Sequence, residues 1–118
     1  IELDLSFNFF EFKLKRLDMN LIEKSSIYTL MLIGCNLTNY DLENSLDFSK
    51  MTDLDFLDLS KNSLIEIKAK YFENNTRLTN LLLGDNSIYS IERSAFRNLH
   101  QLQFLNLSFN QIEYFGQD

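Results

Sequence analysis

Apolar and polar positions alternate in short bursts along this chain, and the bursts return in a fixed frame. Leu57 and Leu59 alternate with Asp58 and Ser60, the period-two pattern of a short strand with one buried face. Leu54 precedes this burst by three residues, and Asn62 and Leu64 follow it. The same frame returns 24 residues later at Leu78, Leu81, Leu83, Asn86 and Ile88, and after another 24 at Leu102, Leu105, Leu107, Asn110 and Ile112. Moving back by 27 residues finds Ile27, Leu30, Leu32, Cys35 and Leu37, preceded by a shorter copy at Leu3, Leu5, Asn8 and Phe10. The frame divides the chain into a partial repeat 1–26, repeats 27–53, 54–77 and 78–101, and a partial repeat 102–118. Each repeat supplies one strand. Strands that return after a full repeat must pair in parallel, and each copy buries its apolar edge only by stacking on the next.

The polar residue that closes each frame has a structural task. Where the chain leaves the strand, a side-chain amide can satisfy main-chain groups of adjacent repeats, so Asn8, Asn62, Asn86 and Asn110 are expected to form a ladder. Cys35 holds the same position and is expected to be a buried structural thiol. Removing one amide, as in Asn86→Ala, should lower stability by about 1 to 3 kcal/mol through unsatisfied buried groups.

The second half of each copy varies. In the fourth, Ile91, Ala95, Phe96 and Leu99 continue the apolar pattern, and in the third Ile67 and Phe72 do so, which predicts that Phe72 and Phe96 stack as an apolar spine. Asn75 stands where leucine is expected and predicts looser packing there. The two earlier copies have room for a helical turn, with Leu14, Leu17 and Leu21 or Leu42 and Leu46 at helical spacing.

The frame L-x-x-L-x-L-x-x-N/C-x-L resembles the leucine-rich-repeat family over essentially the whole chain. The resemblance implies an α/β solenoid: a right-handed coil with a parallel concave β-sheet and an irregular to helical convex side. Ile91, Ala95, Phe96 and Leu99 are similar to the phenylalanine segment of extracellular 24-residue repeats. That likeness implies a Toll-like receptor ectodomain or a secreted innate-immune relative, binding a protein or pathogen-derived ligand with homo- or heterodimerisation as an option. Cys35-Asn36-Leu37-Thr38 also looks like the longer intracellular repeats of the ribonuclease-inhibitor type, and a cell-surface adhesion scaffold is a third reading. Because the frame opens at a second anchor and stops partway through a copy, the chain is expected to be an internal stretch of a longer protein.

Charge narrows the partners. With 11 basic and 17 acidic residues the formal net charge is -6, which disfavours nucleic acid and anionic membranes. No run approaches the roughly 18 apolar residues needed to cross a bilayer, so a membrane enters only through regions outside this stretch. Cys35 is the only cysteine and cannot form an intrachain disulfide.

No catalytic constellation, metal site or cofactor is expected. His100 is a lone histidine, and Asp53, Asp55 and Asp58 cannot share an ion on a strand that points successive side chains to opposite faces. The reading is therefore non-catalytic recognition on the open face of the sheet. Equal repeat positions lie about 4.8 Å apart there, giving rows Glu2, Thr29, Phe56, Asn80, Phe104; then Asp4, Met31, Asp58, Leu82, Asn106; then Phe7, Gly34, Lys61, Asp85, Phe109. Candidate binding residues are Asp55, Phe56, Asp58, Lys61, Asn80, Leu82, Asp85 and Phe104, with Lys61 and Asp85 expected to form a cross-strand ion pair. Asn36-Leu-Thr38, Asn74-Asn-Thr76 and Asn106-Leu-Ser108 are candidate glycan acceptors, about as many as this composition yields by chance. Asn74 is placed on the convex side, where a sugar disturbs nothing, whereas a sugar on Asn106 would mask the sheet near Phe104. The resemblance implies an extracellular, secreted or cell-surface location, with a cytoplasmic one under the ribonuclease-inhibitor reading.

Overall fold

A computed structural model describes residues 1–9 and 19–117. Its strands and helices run β1 (Glu2–Asp4), α1 (Met19–Lys24), β2 (Thr29–Met31), α2 (Asn39–Asn44), β3 (Phe56–Asp58), β4 (Glu66–Ile67), β5 (Asn80–Leu82), β6 (Ser90–Glu92), β7 (Phe104–Asn106) and β8 (Tyr114–Gln117). Among the described residues, 3₁₀ turns at Phe48–Lys50 and Ala69–Tyr71 lie between β2 and β3 and between β4 and β5.

Five strands form one parallel sheet in the order β1-β2-β3-β5-β7. Its register aligns Leu3, Leu30, Leu57, Leu81 and Leu105, so the leucines of the frame lie side by side across the sheet. A second parallel sheet of β4, β6 and β8 pairs Ile67 with Ile91 and Ile91 with Phe115. Period-two patterning puts one leucine row inward, and parallel pairing carries that inward face unbroken from repeat to repeat. Leu57, Leu59, Leu64, Ile67, Leu78, Leu81, Leu83, Ile88 and Ile91 are all fully buried.

The turn that ends each strand shares one backbone shape. Phe7, Gly34, Lys61, Asp85 and Phe109 all have φ between 53° and 63°, the left-handed region. Only Gly34 is a glycine, so four side chains carry strain of about 1 kcal/mol or more, and at Phe7, Lys61 and Asp85 the next repeat holds the turn in place. The hold is visible as main-chain bonds: the Phe7 N–H donates to the Ile33 carbonyl at 2.6 Å, Lys61 to Gly84 at 3.0 Å and Asp85 to Ser108 at 2.9 Å. The expected Lys61–Asp85 ion pair is not among the ion pairs of the described residues. The reversal at φ 58° and 53° takes both residues out of the pleated geometry on which a cross-strand pair depends.

The segments between strands differ from the sequence expectation in three places. Phe72 stacks on Phe48 of the preceding repeat, with centroids 6.3 Å apart and planes at 17°, while Phe96 stays half-buried. Asn75 does not loosen the packing: it is fully buried and its amide donates to the carbonyls of Phe48 at 2.8 Å and Met51 at 3.1 Å. It ties two repeats together by polar contact where leucine would do so by area alone. In the first repeat, α1 contains Leu21, which is 65% exposed, and the Leu14 and Leu17 part of the expected helix lies outside the described residues. In the second, α2 contains Leu42, and Leu42 and Leu46 are both buried. The Asp41 carboxylate starts α2 by accepting from the Thr38 N–H and hydroxyl at 2.8 and 3.1 Å.

Candidate recognition face

The amides that close each frame stand where the chain leaves each strand of the candidate face. Asn62 Oδ1 accepts from the N–H groups of Cys35 and Leu37, both at 2.9 Å. Its Nδ2 donates back to Leu32 at 2.8 Å and within its own turn to Leu59 and Ser60. Asn86 accepts from Leu64 N–H and donates to Leu59 and Leu83; Asn110 accepts from Ile88 N–H and donates to Leu83 and Leu107. Asn8 donates to Leu5 and Ser6. Cys35 is fully buried, its thiol donates to the Leu5 carbonyl at 3.3 Å, and burial pushes its pKa above the ordinary thiol value. A buried, hydrogen-bonded neutral thiol is a poor nucleophile.

On the sheet itself, two of the three rows are the observed registers. Thr29, Phe56, Asn80 and Phe104 align in one, and Met31, Asp58, Leu82 and Asn106 in the next. Phe104 is 51% exposed, Phe56, Asn80 and Leu82 are half-buried, and Asp55, Lys61 and Asp85 are exposed. Asp55 is engaged, since the Thr79 hydroxyl donates to both its carbonyl and its carboxylate.

Asp58 departs from its expected role as an exposed contact. Only 7% exposed, it uses its carboxylate to accept from the Ser60 N–H at 2.9 Å, a side-chain turn that closes β3. Asp4 with Ser6 and Asn106 with Ser108 repeat that geometry at 2.9 Å. Hydrogen bonds from Ser6, side chain first and then backbone, hold the Asp4 carboxyl below its ordinary value. The recurring L-D/N-L-S string at 3–6, 57–60 and 105–108 carried the signal for this turn.

A polar cluster behind the face had no such signal. Lys68 contacts Glu43 at 2.6 Å and Glu66 at 3.3 Å, the Tyr71 hydroxyl donates to Glu43 at 2.9 Å, and Asn39 donates to that hydroxyl at 2.7 Å. These residues are up to 32 positions apart and meet only because the repeats stack. The Lys68 ammonium, and next the Tyr71 hydroxyl, hold the Glu43 carboxyl below its ordinary value near 4.5. A carboxyl whose folded pKa is lowered stabilises the fold above its ordinary value and loses that contribution as pH falls through the folded one. Lys68→Met is therefore expected to flatten the loss of melting temperature as pH falls below the ordinary Glu value near 4.5. An identical acid limb in the variant would remove Glu43 from the acid response. Burial pushes the Tyr71 hydroxyl up to about 12, so its contribution is lost in the alkaline range instead.

Among the described residues no group of three or more His, Cys, Asp or Glu could hold a metal ion, and no helix is long and apolar enough to cross a membrane. Residues 52–112 match the leucine-rich repeat family model, more than half of the chain. The chain belongs to the leucine-rich repeat family. The chain is 34% identical over 100 residues to the zebrafish (Danio rerio) transforming growth factor beta activator LRRC33, covering 80% of this chain and 15% of that protein. It is 40% identical over 63 residues to human leucine-rich repeat-containing protein 66, covering 53% and 7%. It is 38% identical over 71 residues to sheep (Ovis aries) Toll-like receptor 9, covering 58% and 7%. The chain thus spans between about a fifteenth and about a seventh of the length of these relatives.

Proposed function

We propose that this chain is a stretch of a receptor ectodomain of the Toll-like kind, an extracellular solenoid that binds a protein or pathogen-derived ligand on the concave face of its sheet. The observation that carries the reading is the pair of aligned rows in which Phe56, Leu82 and Phe104 stand beside Asn80 on an unpartnered sheet face. Phe104 has no core to fill on that side, and exposed aromatics among polar groups are what binding hot spots are made of. Among the described residues of this face, Glu2, Asp4, Asp55 and Asp85 are exposed beside the exposed Lys61. Its charge suits a ligand that brings basic groups around an apolar centre. Similarity to a Toll-like receptor and to a transforming growth factor beta activator supports a macromolecular partner in a non-catalytic role.

In this reading the units are the repeats 27–53, 54–77 and 78–101 with partial copies at 1–26 and 102–118. The ligand contacts are Asp55, Phe56, Lys61, Asn80, Leu82, Asp85 and Phe104. A panel of secreted proteins and basic peptides, presented to the immobilised full-length protein, supplies the test. Leu82→Ala and Phe104→Ala should each weaken capture by roughly tenfold or more, with melting temperature nearly unchanged for the exposed Phe104. Added salt should weaken it further. A ligand that binds both variants and the parent equally would place recognition elsewhere on the molecule.

A further inference from the structure

The three asparagine triplets are unequal in their surroundings. Asn106-Leu107-Ser108 is the third copy of a strand-ending turn: its Oδ1 accepts from the Ser108 N–H at 2.9 Å, as Asp4 does from Ser6 and Asp58 from Ser60. The Ser108 hydroxyl also donates to Asn106 Oδ1. Aspartate, which cannot carry a sugar, does the same job in two repeats, so the triplet is explained as a turn. The amide also packs closely: a Cβ built at Gly84 would lie 3.4 Å from both Oδ1 and Nδ2 of Asn106. Asn36 occupies a left-handed turn at φ 56°, and the Thr38 hydroxyl is taken by Asp41 at the start of α2. Asn74 differs. It and Thr76 are exposed, it follows a 3₁₀ turn, and its amide makes one long bond, 3.3 Å to the Ser49 carbonyl. Its neighbours Ser49 and Glu73 line a polar groove of about 410 Å³ together with Glu43, Asp47, Lys50 and Lys70.

We infer that Asn74 is an N-linked glycan acceptor and that Asn106 is not, so the sugar stands beside this groove and the sheet around Phe104 stays bare. In the transfer, Asn74 Nδ2 forms a bond to C1 of an oligosaccharide carried on a lipid pyrophosphate. The C1–O bond to the pyrophosphate breaks, the lipid pyrophosphate leaves, and the amide gives up one proton. No oxidation or reduction is involved. The inference rests on the ectodomain reading, and it sharpens it, because a sugar at Asn106 would cover the aromatic face while one at Asn74 directs partners to it.

The test is glycopeptide mass spectrometry on the full-length protein made in eukaryotic cells behind an appended secretion signal, so that site choice is read whatever the native route. Asn74 should be filled in most molecules and Asn106 in essentially none. Thr76→Ala should remove the sugar; Ser108→Ala should leave the glycan pattern unchanged and lower the melting temperature. An empty Asn74, or Asn36 or Asn106 filled as fully as Asn74, overturns the assignment. Endoglycosidase treatment of the native protein separates the two claims: a native chain without sugar, beside a secretion-routed chain filled at Asn74, defeats the ectodomain reading and leaves the site assignment standing.

Discussion

Asn62→Ala should lower unfolding free energy by about 3 kcal/mol, because it strands several buried main-chain groups at once. Asn62 is 8% exposed, and its carboxamide accepts from Cys35 and Leu37 and donates to Leu32 in the preceding repeat. Without it, two N–H groups and one carbonyl lose their partner in a region closed to water. Each such group costs about 1 to 3 kcal/mol, with relaxation and entry of a water recovering part of the sum. Asn110 makes the same type of contacts but is only half-buried, so water can replace them and Asn110→Ala should cost about 1 kcal/mol or less. Chemical denaturation of both variants checks the ordering. Equal losses, or a loss below about 1 kcal/mol for Asn62→Ala, would mean that the ladder is not what couples adjacent repeats.

The ladder was legible because it recurs at one position of an invariant frame, as were the parallel strands and the two aligned rows on the sheet face. What escaped depends on contacts between repeats that no single frame encodes. Strand phase alone places Asp58 on the exposed face, but a carboxylate next to a serine N–H two residues on makes a local turn and withdraws from the surface. The left-handed turns at Lys61 and Asp85 carry no glycine signal, since inter-repeat hydrogen bonds hold those residues there. Lys61 and Asp85 are neighbours in the frame, yet no ion pair joins them among the described residues, because the left-handed turn removes both from pleated geometry. The polar cluster at Glu43, Lys68 and Tyr71 unites residues from two repeats of unequal length. Sequence spacing alone could not align them.

Phe72→Ala should cost about 3 to 5 kcal/mol, the range for emptying a buried aromatic site whose walls cannot collapse. Phe72 is fully buried and its walls belong to two repeats, with Phe48 stacked on one side and Tyr71 edge-on at 6.3 Å and 78°. Phe96, half-buried, has less to lose, and Phe96→Ala should cost less than half as much. The aromatic contact can be separated from area burial by a double-mutant cycle. Phe48→Leu and Phe72→Leu keep most of the volume and remove the stacked pair, so the coupling read from the double variant should be about 0.5 to 1.5 kcal/mol. Asn75 gives this coupling a second route, because its amide holds the carbonyl of Phe48 from within the repeat that carries Phe72. Asn75→Leu restores the apolar residue that the frame expects and also removes the unpaired buried Oδ1, but it takes one donor from each of the carbonyls of Phe48 and Met51, which keep the N–H groups of Met51 and Leu54. Both carbonyls stay satisfied, so two supplementary bonds are lost against one relieved buried acceptor and added apolar area, and the substitution should change stability by less than about 1 kcal/mol. An Asn75→Leu variant more stable by more than this would show that apolar contact alone joins these two repeats.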